Sequence, residues 1–345
     1  MIASENPRGP CWFHPGLAPW LLLLLVSAVL LWPRPARADD VLCQASIPGG
    51  ISFGTIDPTS ATASDSQAQV NYSCTNSTPT NYYITLCLNI GTGPQGLSPG
   101  GLRQMAGANG LLVFQLYRDS ARSQPWGSID TPSTPPVSVN FWAFGHANGT
   151  PPTTTAGAVT IYARTPGSQA NAGDGTFNAT FSPADLKITG SASTTPSPGT
   201  CSSAGADVSA FSGFLVSATV PPTCTVTADP LDFGQVAGLL SSNVDGTSRV
   251  HVQCVNGTAY KIGLDNGLHA IGSTRRMQGP GGYIRYELYR NAARTNRWGD
   301  TPGVDTVSRT GNGLVQNRAV NGRVPPQATP SAGDYSDTIT VSVTY

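Results

Sequence analysis

The chain reads as an all-β exported protein built from two tandem β domains, and three observations carry that reading. Short runs rich in Val, Ile, Thr and Tyr are separated by turn residues, with Gly 39 and Pro 29 among 345 residues, and long helical patterns are absent. One ordered set of features occurs twice along the chain. An even set of cysteines follows a leader-like N-terminus, which points to disulfides in an oxidising compartment.

Residues 1–38 read as a secretory leader. Arg8 supplies its positive region, Ala18 to Trp32 a 15-residue apolar stretch, and Ala36-Arg37-Ala38 a small-residue cleavage site, so the exported chain is expected to start at Asp39. The apolar stretch falls short of the roughly 20 residues that a membrane-spanning helix needs. Leu42 stands before Cys43 where a lipid-modified cysteine needs a small residue. The formal net charge is zero and basic residues form no cluster, which argues against a nucleic-acid partner.

The first half opens at Cys43, passes through ISFGTIDP (51–58) and reaches VNYSC (70–74). The second opens at Cys224, passes through LDFGQVA (231–237) and reaches VHVQC (250–254). The alternating runs YYITLCLNIG (82–91) and YKIGLDNG (260–267) come next, and LRQMAG (102–107) answers TRRMQG (274–279). LLVFQLYRDSARSQPWG (111–127) then answers YIRYELYRNAARTNRWG (283–299), and the halves close on GDGTFNATF (173–181) and GDYSDTITVSVTY (333–345). The matching spacings pair Cys43 with Cys74 and Cys224 with Cys254. Each bond closes a loop of about 30 residues, worth on the order of 3–4 kcal/mol by chain entropy. Cys87 and Cys201 have no counterpart in the second half and pair by elimination, the alternative being two free thiols. No spacing is C-x-x-C and no His neighbours a cysteine, so neither a metal nor any other cofactor is expected.

TGSASTTPSPGTCSSAGAD (189–207) is loop by composition. After it comes FSGFLVSATVPPTC (211–224), in which Phe214, Val216, Ala218 and Val220 share one alternating face. That run is either an ordinary strand of the second domain or a strand donated to the first. An unpaired apolar sheet edge is an aggregation hazard, and an added strand is one remedy for it. Four residues, two of them acidic, precede Cys43 in the expected exported chain, too few for a donor strand. The expected organisation is therefore a leader (1–38), a first domain (39–207), a linker with a donor strand (208–220) and a second domain (221–345).

The C…FG…C opening, the L-Y-R-x-x-x-x-x-x-x-W-G block (116–127, 288–299) and the terminal G-D-Y-S-D-T-I-T-V-S-V-T-Y strand resemble the spore coat protein U-like domain. That family includes the subunits of archaic (Csu-type) chaperone–usher pili. Two copies cover nearly all of the exported chain, the second more cleanly than the first. The resemblance implies two incomplete immunoglobulin-like β-sandwiches completed by donor strands. It also implies export to the periplasm, capture by a periplasmic pilus chaperone that anchors the carboxylate of Tyr345, and delivery to an outer-membrane usher. The second domain, whose last strand is expected over Thr338–Thr344, would then take a strand from an adjacent pilin subunit. A two-domain member without an N-terminal donor extension resembles the family's tip adhesin, which mediates attachment and biofilm formation at the cell surface.

SIDTPSTPPVSVNFWAFGHANGTPPTTTAG (128–157) stands where the second half has the polar SRTGNGLVQNRAVNG (308–322). Phe141, Trp142 and Phe144 among its Pro, Gly and Asn are adhesive candidates for an abiotic or host surface, since stiffened exposed aromatics bind at low entropic cost. The competing reading is a core strand with Val139, Phe141 and Ala143 facing inward. Trp126 has a counterpart in Trp298 and reads as structural.

No catalytic pattern is present: there is no G-x-S-x-G, no H-E-x-x-H and no Walker loop, and His146, His251 and His269 lack neighbouring nucleophiles. Besides a tip adhesin, the sequence fits a coat or shaft component without a receptor, or a secreted carbohydrate-binding β-sandwich protein.

Overall fold

A computed structural model describes residues 41–131, 133–197, 199–201 and 209–345; the expected leader lies outside the described residues. Among them no helix is long and apolar enough to cross a membrane. The protein is all-β, and its strands divide into two sandwiches, each with its own apolar core.

The first half runs β1 (Val41–Ser46), β2 (Ile51–Thr55), β3 (Ser64–Asn76), β4 (Tyr82–Ile90), β5 (Arg103–Gly107) and β6 (Gly110–Tyr117). It continues with β7 (Val137–Ala143), β8 (Thr153–Thr165), β9 (Gly175–Phe181), β10 (Leu186–Ser193), β11 (Ser209–Phe211) and β12 (Phe214–Val220). One sheet has the order β11-β1-β3-β8-β6-β5-β9-β12-β2, and the facing sheet is β10-β4-β7. The second half runs β13 (Cys224–Ala228), β14 (Val244–Cys254), β15 (Ala259–Leu264), β16 (Arg275–Gly279), β17 (Gly282–Tyr289), β18 (Val307–Thr310), β19 (Gln316–Val324) and β20 (Val341–Thr344). Its sheets are β13-β14-β19-β17-β16 and β18-β15-β20.

Alternation drives the packing. Along β9, Phe177, Ala179 and Phe181 point into the core while Thr176, Asn178 and Thr180 face out, the period-two pattern of a sheet with one buried face. β4 departs from it, being buried on both faces. Its outer face carries Thr85, Cys87 and Asn89; the chain after β10 covers the first two, and Ile129 N–H donates to Asn89 Oδ1 at 2.8 Å. Gly199 N–H donates to Thr85 Oγ1 at 2.8 Å, and Cys87 is bonded to Cys201. The other two disulfides are cross-strand: Cys43–Cys74 joins β1 to β3 and Cys224–Cys254 joins β13 to β14, each with Cα atoms 4.0 Å apart.

The internal repeat is physical as well as textual. Arg103 and Arg275 are both buried, and each donates to the carbonyl of the following tryptophan, Trp126 or Trp298, at 2.8 Å. Trp126 Nε1 donates to Leu88 O at 2.7 Å and Trp298 Nε1 to Ile262 O at 3.0 Å, so each indole ties its loop to the facing sheet. Burial pulls Arg103 down to about 10, which leaves it charged at neutral pH. Its side-chain partner is neutral Gln115, whereas Arg275 pairs with Glu287. Outside the core, Asp65 bridges Arg122 and Arg164 as Asp245 bridges Arg294 and Arg323.

Two expectations need correction, and one open choice is decided. Residues 189–193, loop by composition, continue β10 in register with β4 from Thr189↔Cys87 to Ser193↔Tyr83, because ladder hydrogen bonds outweigh the weak strand preference of Gly and Ser. Residues 137–143, for which an adhesive loop and a core strand were the two readings, form an edge strand on β4 equivalent to β18. The last strand is shorter than Thr338–Thr344: only Val341–Thr344 pairs, with β15. The reason for this last difference lies in the groove beside it.

Candidate functional site

In the first half β12 lies between β9 and β2. It pairs antiparallel with β9 in unbroken register from Phe214↔Phe181 to Val220↔Gly175, and parallel with β2 from Val216↔Ile51 to Thr219↔Thr55 with one register shift. Phe214, Val216, Ala218 and Val220 all point into the core, and the Phe214 ring stacks on Phe181 with centroids 4.9 Å apart. Burying an apolar side chain of Val or Phe size stabilises by about 1.5–3 kcal/mol, so this one strand accounts for a large share of the first core. Its neighbour comes very close: a Cβ on Gly50 (φ +68°) would lie 2.2 Å from Leu215 O. Glycine is required there both for its left-handed backbone and for the approach of the inserted strand.

Among the described residues none fills the same position in the second half. Residues 231–237 correspond to β2 with its flanks, and 335–340 correspond to β9; neither segment forms a regular strand, apart from a single bridge between Ser336 and Gln278. Between them lies an open cleft of about 430 Å³. Leu231 and Phe233 form one lip, Ile339 the other, and Met277, Tyr286 and Leu288 line the floor. Matched residues report the difference: Met105 is fully buried and Met277 is not, and Ile51 is fully buried while Leu231 is not. The two flanks lack regular structure because each has lost the partner that would satisfy its backbone groups on the open side. An extended segment with alternating apolar side chains has the shape that this cleft can take.

One polar cluster sits at its edge. Asp337 occupies the position of buried Ala179 in the first half, and 2% of its side chain is exposed. It accepts a hydrogen bond from Tyr286 Oη at 2.8 Å, and His269 Nδ1 lies 3.0 Å away. Burial, followed by the Asp337 bond and charge, pushes the Tyr286 phenol far above its ordinary value. Sequence reading missed this cluster; the available signal was a carboxylate at an inward position of an otherwise matched strand.

The adhesive candidates separate by face. Phe141 is turned inward against the first core and stacks on Tyr72 with centroids 5.3 Å apart, which removes it from the exposed set. Trp142 is on the outer face, edge-on to Tyr83 at 5.4 Å, and Phe144, just past the strand, is 55% exposed. Trp126 is fully buried, and Tyr345 is exposed at the end of the second sandwich.

The family model for the spore coat protein U (SCPU) domain matches residues 38–182 and 210–342. The chain belongs to the spore coat protein U domain family. A curated relative is Protein U of Myxococcus xanthus, 32% identical over 127 residues, which span 34% of this chain and 69% of that protein. Among solved structures the SCPU chain is similar to the CsuC–CsuE chaperone–tip adhesion subunit pre-assembly complex of Acinetobacter baumannii (18% identity, 87% of this chain and 100% of that chain, TM-score 0.47). It is also similar to the CupB6 tip adhesin from Pseudomonas aeruginosa (10% identity, 88% and 94%, TM-score 0.33). The second SCPU match begins at residue 210, so β12 belongs by sequence to the second copy while it pairs with strands of the first.

Proposed function

We propose that this protein is a non-enzymatic subunit of a chaperone–usher pilus, standing at the fibre tip and mediating attachment and biofilm formation. The observation that carries the reading is the contrast between the grooves: one strand position filled by the chain itself in the first sandwich and open in the second. On this reading residues 208–220 connect a tip domain (39–207) to a pilin domain (221–345), and 214–220 act as an intramolecular donor strand. The open cleft takes a strand first from a periplasmic chaperone, which also holds the Tyr345 carboxylate, and after passage through the usher from the adjacent subunit. β1 is held between β3 and β11 and so does not enter a neighbour's groove. A subunit that accepts a strand and gives none outward ends a fibre.

The first sandwich then faces the target. Trp142, Phe144 and Tyr83 form its adhesive patch for an abiotic or host surface, with aromatic area already ordered by a strand and available without folding cost. Two measurements test the reading together. An antibody to the first sandwich, viewed by electron microscopy, should label one end of each fibre; labels along the length would remove the tip assignment. Trp142→Ala with Phe144→Ala should cut attachment to plastic several-fold with unchanged surface yield, since neither side chain is in the core. Unchanged attachment would exclude this patch.

A further inference from the structure

The second sandwich has another opening, which shares no lining residue with the strand cleft. It is a polar cavity of about 630 Å³ between β17, β19 and β18, walled by Arg290, Arg309, Arg318, Asn317 and Thr306 over the edge of Trp298. No carboxylate lines it. The nearby Asp305 is engaged by Arg297 at 3.1 Å. Among the described residues none of the three arginines takes part in an ion pair.

Two buried polar atoms here have no partner: Arg318 Nε and the hydroxyl of Thr306, a residue only 8% exposed. Arg290 and Arg309 each donate to a backbone carbonyl, of Thr306 at 3.1 Å and of Ser308 at 2.8 Å. A buried donor without an acceptor is costly, and two in one cavity, beside guanidinium groups that meet no carboxylate, mark a place shaped for something that accepts hydrogen bonds.

Comparison with the first half shows that the cavity is not dictated by the fold. The register Val250↔Arg318 matches Val70↔Val159, and Ile262↔Val307 matches Leu88↔Val137, which aligns Arg309 with Val139. Val139 and Val159 pack against the first core. The same opening is thus closed by two valines in one copy and lined by two arginines in the other.

We propose that this cavity binds an oxyanion, a sulfate or carboxylate held by Arg318, Arg309 and the Thr306 hydroxyl. Guanidinium groups make charge-assisted, often paired hydrogen bonds to such groups. The cavity lies within the roughly 300–1,000 Å³ range of small-ligand sites, so the anion can be a free ion or the acidic group of a saccharide. This inference does not depend on the pilus reading.

Titration calorimetry on the whole exported chain with sodium sulfate, glucuronate and glucose tests it. Sulfate or glucuronate should bind, and Arg309→Val with Arg318→Val should weaken that binding at least about tenfold while the thermal midpoint stays put, because the first half already tolerates valine at both positions. Tighter binding of glucuronate than of sulfate identifies a saccharide source, and equal binding a free ion. Should the double variant fail to fold, Arg318→Gln, which keeps most of the side-chain length, must show the same loss. The proposal is overturned if neither anion binds at about 10 mM, if glucose binds as well as glucuronate, or if the variants bind unchanged.

Discussion

Val216→Asp should abolish export of a folded chain. Val216 is fully buried at the middle of β12, between β9 and β2. An ionised carboxylate there has no cation to meet, and its effective desolvation penalty is several kcal/mol. Domains of this size are stable by only about 5–15 kcal/mol, and the substitution also expels the strand whose apolar face completes the core. The control is Leu215→Asp, one residue away on the outward face and 43% exposed, which should cost under about 1 kcal/mol. Periplasmic yield and protease resistance distinguish the two. Equal yield and resistance for both variants would mean that β12 is not an integral part of the first sandwich.

A synthetic peptide with the sequence of Phe214–Val220 should bind the second cleft and raise the thermal midpoint of the second sandwich by several degrees. A ligand that binds only the folded state at 100 times its Kd stabilises by about 2.7 kcal/mol, and 1 kcal/mol shifts the midpoint of a domain of roughly 100–150 residues by a few degrees. The peptide presents four apolar side chains at alternate positions, and the cleft presents Leu231, Phe233, Met277, Leu288 and Ile339 to receive them. A peptide with Asp at the Val216 position should not bind. Absence of any shift with the first peptide, or equal shifts with both, would show that the cleft is not a strand acceptor.

Much of this molecule is legible in its sequence. Alternation of Phe214, Val216, Ala218 and Val220 identified a one-faced strand, and the repeated L-Y-R…W-G block identified two copies of one sandwich. Cysteine separations of 31 and 30 residues, at matching places in the two copies, reflect cross-strand neighbours in one repeated strand pair, and so they were readable as pairs. The aromatic run was harder. Strand alternation placed Phe141 inward and Trp142 outward, Pro and Gly around them kept a loop reading open, and ladder bonds to β4 decided between the two.

By itself the sequence determined which residues form strands, which face of each is apolar and that the fold occurs twice, because these follow from local periodicity and from internal repetition. Only the tertiary structure decided which groove β12 enters, that the matching groove in the second copy stays open, and that Asp337, Tyr286 and His269 converge at its edge. Period-two alternation says which side of a strand seeks a core and nothing about whose core it is. That choice depends on the length and direction of the connecting chain and on which sheet edge lacks a partner, and these are properties of the assembled fold.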